Sequence, residues 1–140
     1  MTSPLLLDTC AAIGLMENQL SPAVLRLLQS RLDADEALYL SPISAWEIGL
    51  LVARERLPLA MDPLAYFRRM VSLPGMKLAA LPPEVLVAAS FLPTAPHHPP
   101  SDHADRILIA TARILGFTLV TRDRKLLGYA AGGDLSALAC

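Results

Sequence analysis

Four acidic residues in this chain occupy places where an acid is costly. Asp8 directly follows the apolar run Leu5-Leu6-Leu7, and Asp123 follows Phe117–Thr121, the clearest strand pattern of the sequence. In Ile43-Ser44-Ala45-Trp46-Glu47-Ile48-Gly49-Leu50-Leu51, helical spacing aligns Glu47 with Ile43 behind it and Leu50 and Leu51 ahead. Asp105 precedes Leu108 and Ile109 by three and four residues, so it too stands on an apolar stripe. A buried carboxylate without a partner costs several kcal/mol, and neighbouring carboxylates repel one another as well. Ten arginines and two lysines are available to neutralise these acids one by one. The economical alternative is convergence on a divalent cation. Mg²⁺ takes hard oxygen ligands and is held by a few carboxylates while keeping several waters, and Mn²⁺ accepts the same ligands.

Each acid also has a structural reading. Asp8 and Thr9 can serve as the cap of the next helix, and Asp102 can cap a helix with Asp105 as its capping-box partner. Glu47 can pair with Arg54 or Arg106, and Asp123 can be a turn residue in the charged run Arg122-Asp123-Arg124-Lys125.

The elements that must position these residues follow from pattern and punctuation. Short apolar runs predict strands at 5–7, 38–40, 76–81 and 117–121. Helices are expected over 10–18, 21–32, 43–54, 62–71, 82–91, 102–115 and 123–127. Ser21-Pro22 and Asp62-Pro63 are start signals, Pro74-Gly75 and Gly116 are stops, and 93–100 is a proline-rich loop. Short buried strands alternating with helices predict an α/β fold, a three-layer α/β/α domain around a short parallel sheet. Ligands gather at the carboxyl edge of such a sheet, where Asp8 and Asp123 are placed.

Taken in order, Leu7-Asp8-Thr9, Ile43-Ser44-Ala45-Trp46-Glu47-Ile48, Asp102-His103-Ala104-Asp105-Arg106 and Val120-Thr121-Arg122-Asp123 span nearly the whole chain. The set resembles the motifs of PIN-domain ribonucleases, and more narrowly those of VapC-type toxins of bacterial toxin–antitoxin pairs. His103-Ala104 is an unusual filling between the two aspartates. The resemblance implies one PIN-like domain over residues 1–140 that cleaves RNA with Mg²⁺ or Mn²⁺. It maps the catalytic acids onto Asp8, Glu47, Asp105 and Asp123, with Asp8, Asp105 and Asp123 holding the metal. Glu47 would bind a second ion or orient the attacking water, and Thr9, Asp102 and Thr121 would support the site. It also implies an antitoxin that lays a peptide across the acids. A phospho-acceptor domain is disfavoured because Asp8 is flanked by Leu7 and Thr9 rather than by a paired acid. A catalytically silent RNA- or protein-binding module on the same fold is the remaining alternative.

Composition narrows the setting. Hydrophobic residues are 54% and charged residues 18% of 140, which excludes a disordered tail or a charged coiled coil. No apolar run is long enough for a membrane span, and the N-terminus lacks a basic segment before its leucines, so a cytoplasmic protein without membrane attachment is expected. Cys10 and Cys140 form no framework, and Cys10 is expected to be a small buried residue. His97, His98 and His103 do not complete a zinc site, and Trp46 is expected in the core, with base stacking as the alternative. The helices around 9–32 and 43–57 are apolar enough to suggest a homodimer.

With a net charge of −1, RNA must be drawn by local basic groups. Arg54, Arg56, Arg68 and Arg69 are available, and Arg122, Arg124 and Lys125 flank Asp123 as the first candidates for phosphate contact. Replacing Arg124 and Lys125 with Ala is therefore expected to weaken RNA binding. The slope of log affinity against log salt should become shallower by about 1.4, at about 0.7 per lost contact on a single strand. A filter-binding series with an unchanged slope would reject the role.

Overall fold

Successive strand residues point to opposite faces of a sheet, and the leucine triplet uses both. In β1 (Leu5–Leu7), Leu5 and Leu7 enter one hydrophobic core and Leu6 enters the other. The computed structural model, which describes residues 2–140, places β1 at the centre of a five-stranded sheet. Its order is β3 (Met76–Leu78), β2 (Leu38–Leu40), β1, β4 (Thr118–Thr121) and β5 (Ala137–Ala139). Every pairing is parallel, with Leu6 opposite Tyr39 on one side and Leu119 on the other.

Helices cover both faces, as a parallel sheet requires. On one face lie α1 (Thr9–Met16), α2 (Pro22–Asp33), α3 (Ile43–Ala53) and α4 (Pro63–Val71), which contribute Ala12, Val24, Leu28, Ile48, Phe67 and Met70 to the core around Leu5 and Leu7. On the other lie α5 (Pro83–Ala88), α6 (His103–Leu115) and α7 (Arg124–Ala131), with Val85, Leu108, Ile109, Leu126 and Tyr129 packed around Leu6 and Leu119.

Local chemistry sets the helix boundaries. Ser21 and Asp62 cap α2 and α4, each followed by proline at the first helical position. Gly116 ends α6 at φ 78°, a left-handed conformation that glycine adopts without a Cβ penalty. Gly75, at φ 80°, turns the chain into β3 where a Cβ would meet Leu32 Cδ2 at 2.2 Å.

The chain runs outward from β1 through β2 to β3, then crosses to the far side of β1 for β4 and ends at β5. That reversal opens a crevice beyond the carboxyl ends of β1 and β4.

Several element limits differ from the sequence expectation. β3 ends at Leu78 rather than Leu81: after Ala79 N–H reaches Leu40 O at 2.7 Å, β2 has turned away at Ser41-Pro42 and offers no further partner. α1 begins at Thr9 and ends at Met16, because Asp8 rather than Thr9 is the cap. α5 ends at Ala88, three residues short of Phe91. α7 continues past Leu127 and Gly128 to Ala131, anchored by buried Tyr129, whose hydroxyl donates to Pro93 O at 2.8 Å. β5 was not expected, since its alanines carry little strand preference; pairing with β4 recruits it.

Leu6 has no exposed surface and serves the α5–α7 face from the central strand. Leu6→Ala should destabilise the protein by about 2–5 kcal/mol, read as a lower urea midpoint with an unchanged slope.

Candidate active site

Three helices begin at the crevice, and each is capped by an aspartate. Asp8 Oδ1 accepts from Ala11 N at 2.7 Å at the start of α1, and Asp123 Oδ1 accepts from Lys125 N at 2.7 Å at the start of α7. Asp102 Oδ1 accepts from Asp105 N at 3.0 Å at the start of α6. The capping and functional readings are thus compatible. One carboxylate oxygen satisfies the helix N-terminus and the other is left for a different partner.

Hydroxyl groups fix the remaining geometry. Thr121, the last residue of β4 and fully buried, donates its Oγ1–H to Asp8 Oδ2 and accepts from Asp123 N at 3.0 Å. Both oxygens of Asp8 are therefore engaged, and Asp8 is only 4% exposed. Across the crevice, Thr9 Oγ1 donates to Glu47 Oε1 and lies 2.9 Å from the buried Ser44 Oγ. Ser44 precedes Glu47 by one helical turn on the same face of α3. That i, i+3 spacing was the available signal for a residue the sequence reading did not select.

No ion pair to these acids is formed among the described residues. Among the described residues the ion pairs are Arg31–Glu36 at 3.4 Å and Arg113–Asp134 at 3.5 Å, and neither involves these acids. Arg106, offered above as a partner for Glu47, instead donates Nε–H to Ala89 O and Nη1–H to Pro100 O.

Burial and mutual repulsion raise the carboxyl pKa values. Asp105 is pushed up to about 7, first by desolvation and then by Asp102, Glu47, Asp123 and Asp8, all acting in the same sense. Desolvation also raises Glu47, opposed by the hydrogen bond from Thr9 and reinforced by Asp102, Asp8 and Asp123. Asp8 is raised by burial against the opposing hydrogen bonds from Thr121 and Ala11. Asp123 raises it further and Arg122 lowers it.

The tightest grouping is Glu47, Asp102 and Asp105, each with a carboxylate oxygen within 4.8 Å of the others. Oxygens on opposite sides of an octahedral Mg²⁺ lie about 4.2 Å apart, so a small side-chain adjustment or a bridging water accommodates a divalent ion. Oxygen-only donors, raised pKa values and the absence of an ion pair to these acids among the described residues all fit such an ion. Asp102, expected as a supporting acid, belongs to this group, while Asp8 and Asp123 act on it through the crevice.

Other expected residues fall differently. Arg122 Nη2–H turns back to Gln19 O at 3.3 Å, so part of its guanidinium is spent on the chain itself. Arg124 and Lys125 face a separate cavity of about 650 Å³ beside His97 and His98. It is Arg54 and Arg56 that line the roughly 340 Å³ cavity holding Thr9, Glu47 and Asp102. Two expectations are corrected. Cys10 is exposed rather than buried, because α1 starts at the crevice rim, and Trp46 is 50% exposed rather than in the core, its inward neighbours being Ser44 and Ile48. Apolar exposure is greatest at Val87 and Phe91, on and just beyond α5, rather than on the helices of 9–32 and 43–57.

The PIN domain pattern matches residues 5–132. Ribonuclease VapC22 of Mycobacterium tuberculosis (strain ATCC 25618 / H37Rv) is 36% identical over 93 residues, 66% of this chain and 67% of that protein. The fold is similar to VapBC2 from Rickettsia felis, solved bound to a DNA fragment from its promoter, with a TM-score of 0.70 at 12% identity over 96% of this chain and 97% of that one. DNA-bound VapBC from Salmonella typhimurium gives a TM-score of 0.66 at 14% identity over 99% and 98%. With the acids of all four motifs gathered at one sheet edge and the family pattern covering most of its length, this chain belongs to the PIN-domain family.

Proposed function

We propose that residues 1–140 form one domain that hydrolyses RNA phosphodiester bonds with Mg²⁺, Mn²⁺ being accepted, as the toxin of a toxin–antitoxin pair. The observation that carries this reading is the crowding of Glu47, Asp102 and Asp105 oxygens within 4.8 Å, with no ion pair to any of them among the described residues. The similarity to Ribonuclease VapC22 supports RNA as the substrate, and the VapBC complexes of the same fold support an antitoxin as the partner. The protein would act in the cytoplasm; among the described residues no helix is long and apolar enough to cross a membrane. A homodimer is part of the proposal, since Val87 and Phe91 present apolar surface that a second chain would cover.

Glu47, Asp102 and Asp105 would hold the ion, with Asp8 and Asp123 alongside. When bound, it offsets charge on the phosphate and acidifies a water for attack. The chain's own groups supply placement. Thr9 and Ser44 fix Glu47 so that its second oxygen can orient that water, and Thr121 with the Ala11 amide fixes Asp8. Asp105, with a pKa near 7, gives up its proton as the site is loaded, which makes loading favourable at higher pH. Arg54 and Arg56 border the same cavity and would receive the phosphates on either side of the scissile bond.

Asp105→Asn preserves shape and removes a ligand charge. It should lower Mg²⁺-dependent cleavage of single-stranded RNA by about 100-fold or more while the protein still melts cooperatively. A variant as active as the wild type would sink the catalytic assignment, and a wild type that binds RNA without cutting it would identify the silent binding module instead.

Stability should follow the same acids. Between about pH 4 and pH 7 folded Asp105 retains a proton that the unfolded chain has released, so stability is lost as pH rises through this window. The metal-free melting temperature should fall from about pH 5 to pH 7.5, and Mg²⁺ should restore it more at the higher pH. Equal calorimetric melting in EDTA and in Mg²⁺ at both pH values would exclude the cation site.

A further inference from the structure

Trp46 is the only tryptophan of the chain, and half of it is exposed on α3 beside Glu47. Two cavities meet at this residue. One, about 340 Å³, contains Glu47 and Asp102 with Arg54 and Arg56. The other, about 570 Å³, is lined by Leu86, Ala89 and Ile107 together with Arg106. Trp46 and His103 line both.

Arg106 is not free to swing. Its Nε–H is fixed on Ala89 O at 2.9 Å and its Nη1–H on Pro100 O at 3.3 Å. Only two of the five guanidinium N–H donors are committed by these bonds, so a rigid cationic plane with unused donors stands in the groove lining.

The groove thus offers a flat aromatic face, an apolar lining and a fixed guanidinium, one residue away from an acid that would act on a phosphate. A peptide would offer apolar side chains and carbonyl acceptors but no phosphates for Arg54 and Arg56. A nucleobase supplies both an apolar face and hydrogen-bonding edges, and its strand carries the phosphates that Arg54 and Arg56 complement. We infer that the groove of Trp46, Leu86, Ala89, His103, Arg106 and Ile107 is a nucleobase-binding subsite, in which a base next to the scissile phosphate stacks on Trp46. This rests on the reading of the acids as an RNA-cleaving site and adds where the neighbouring nucleotide goes. Stacking of this kind tolerates any base, so the subsite positions the strand rather than reading its sequence.

A single tryptophan makes the test direct. A short 2′-O-methyl oligonucleotide, which resists cleavage, is titrated while the indole fluorescence is followed, beside an abasic strand of the same length. Quenching by the base-bearing strand and little by the abasic one is expected. By anisotropy of a dye-labelled strand, Trp46→Ala should weaken binding about ten-fold and Trp46→Phe should recover most of it. Equal quenching by both strands, or an alanine variant that binds as tightly as the wild type, would overturn the subsite and leave the groove to a protein partner. Cleavage of unmodified RNA is measured in parallel. Quenching without cleavage keeps the subsite and defeats the nuclease reading, whereas cleavage without quenching does the reverse.

Discussion

The structure depends on one electrostatic conflict: five carboxylates are held at one end of a small parallel sheet, and among the described residues none of them forms an ion pair. The fold tolerates this because the acids are useful to it before any ligand arrives. Asp8, Asp102 and Asp123 each start a helix, where backbone N–H groups and the helix dipole favour negative charge. An N-cap contributes about 1 kcal/mol. That is enough to fix where an aspartate stands, but it does not cancel repulsion from four neighbours. Asp105 and Glu47 cap nothing, and Asp105 is pushed up to about 7 by its burial and its acidic neighbours.

The division of labour among oxygens explains how one residue serves both stability and chemistry. Asp102 spends Oδ1 on the α6 N-terminus and still offers a carboxylate oxygen to the group with Glu47 and Asp105. Asp8 differs, because the Ala11 amide and the Thr121 hydroxyl occupy both of its oxygens. It is the most rigidly held acid of the site and the most buried. In the proposed site it would serve as a fixed negative charge that draws a cation in, while Glu47, Asp102 and Asp105 would adjust around one.

What could be read in the sequence was whatever local rules enforce. Leu5–Leu7 ending at Asp8, Ser21-Pro22, Asp62-Pro63 and Gly116 announce themselves, and the α/β alternation follows from them. The convergence of the acids was legible only as an implication of unusual placement, since four motifs on four elements have no local reason to meet. What escaped depended on tertiary partners. β5 is a strand because β4 has a free edge beside it, not because Ala137-Leu138-Ala139 prefers one. Trp46 looked like core by residue type, yet the faces of α3 are assigned by Ser44 and Ile48, and helical rotation leaves the indole outside. Arg122 looked free in a charged run but is tied to the Gln19 carbonyl by the packing of α1 against β4.

The placement of the basic residues answers how an acidic crevice in a protein of net charge −1 can admit a polyanion. Were arginines set among the acids, they would quench the site, because a close pair at low dielectric would outcompete a cation for the same oxygens. Arg54 and Arg56 instead lie just past the end of α3, at the border of the cavity and beyond ion-pair distance of the acids. Arg124 and Lys125 border another cavity by α7, and Arg106 is fastened to backbone carbonyls beside the groove of Trp46. The arrangement separates by charge: acids at the centre, where one doubly charged ion would balance several of them, and guanidinium groups at the margin, where phosphates flanking the cleaved bond would lie. A strand bound this way would meet guanidinium groups at the margin of the negative centre, so neither set of charges would have to be neutralised by the other.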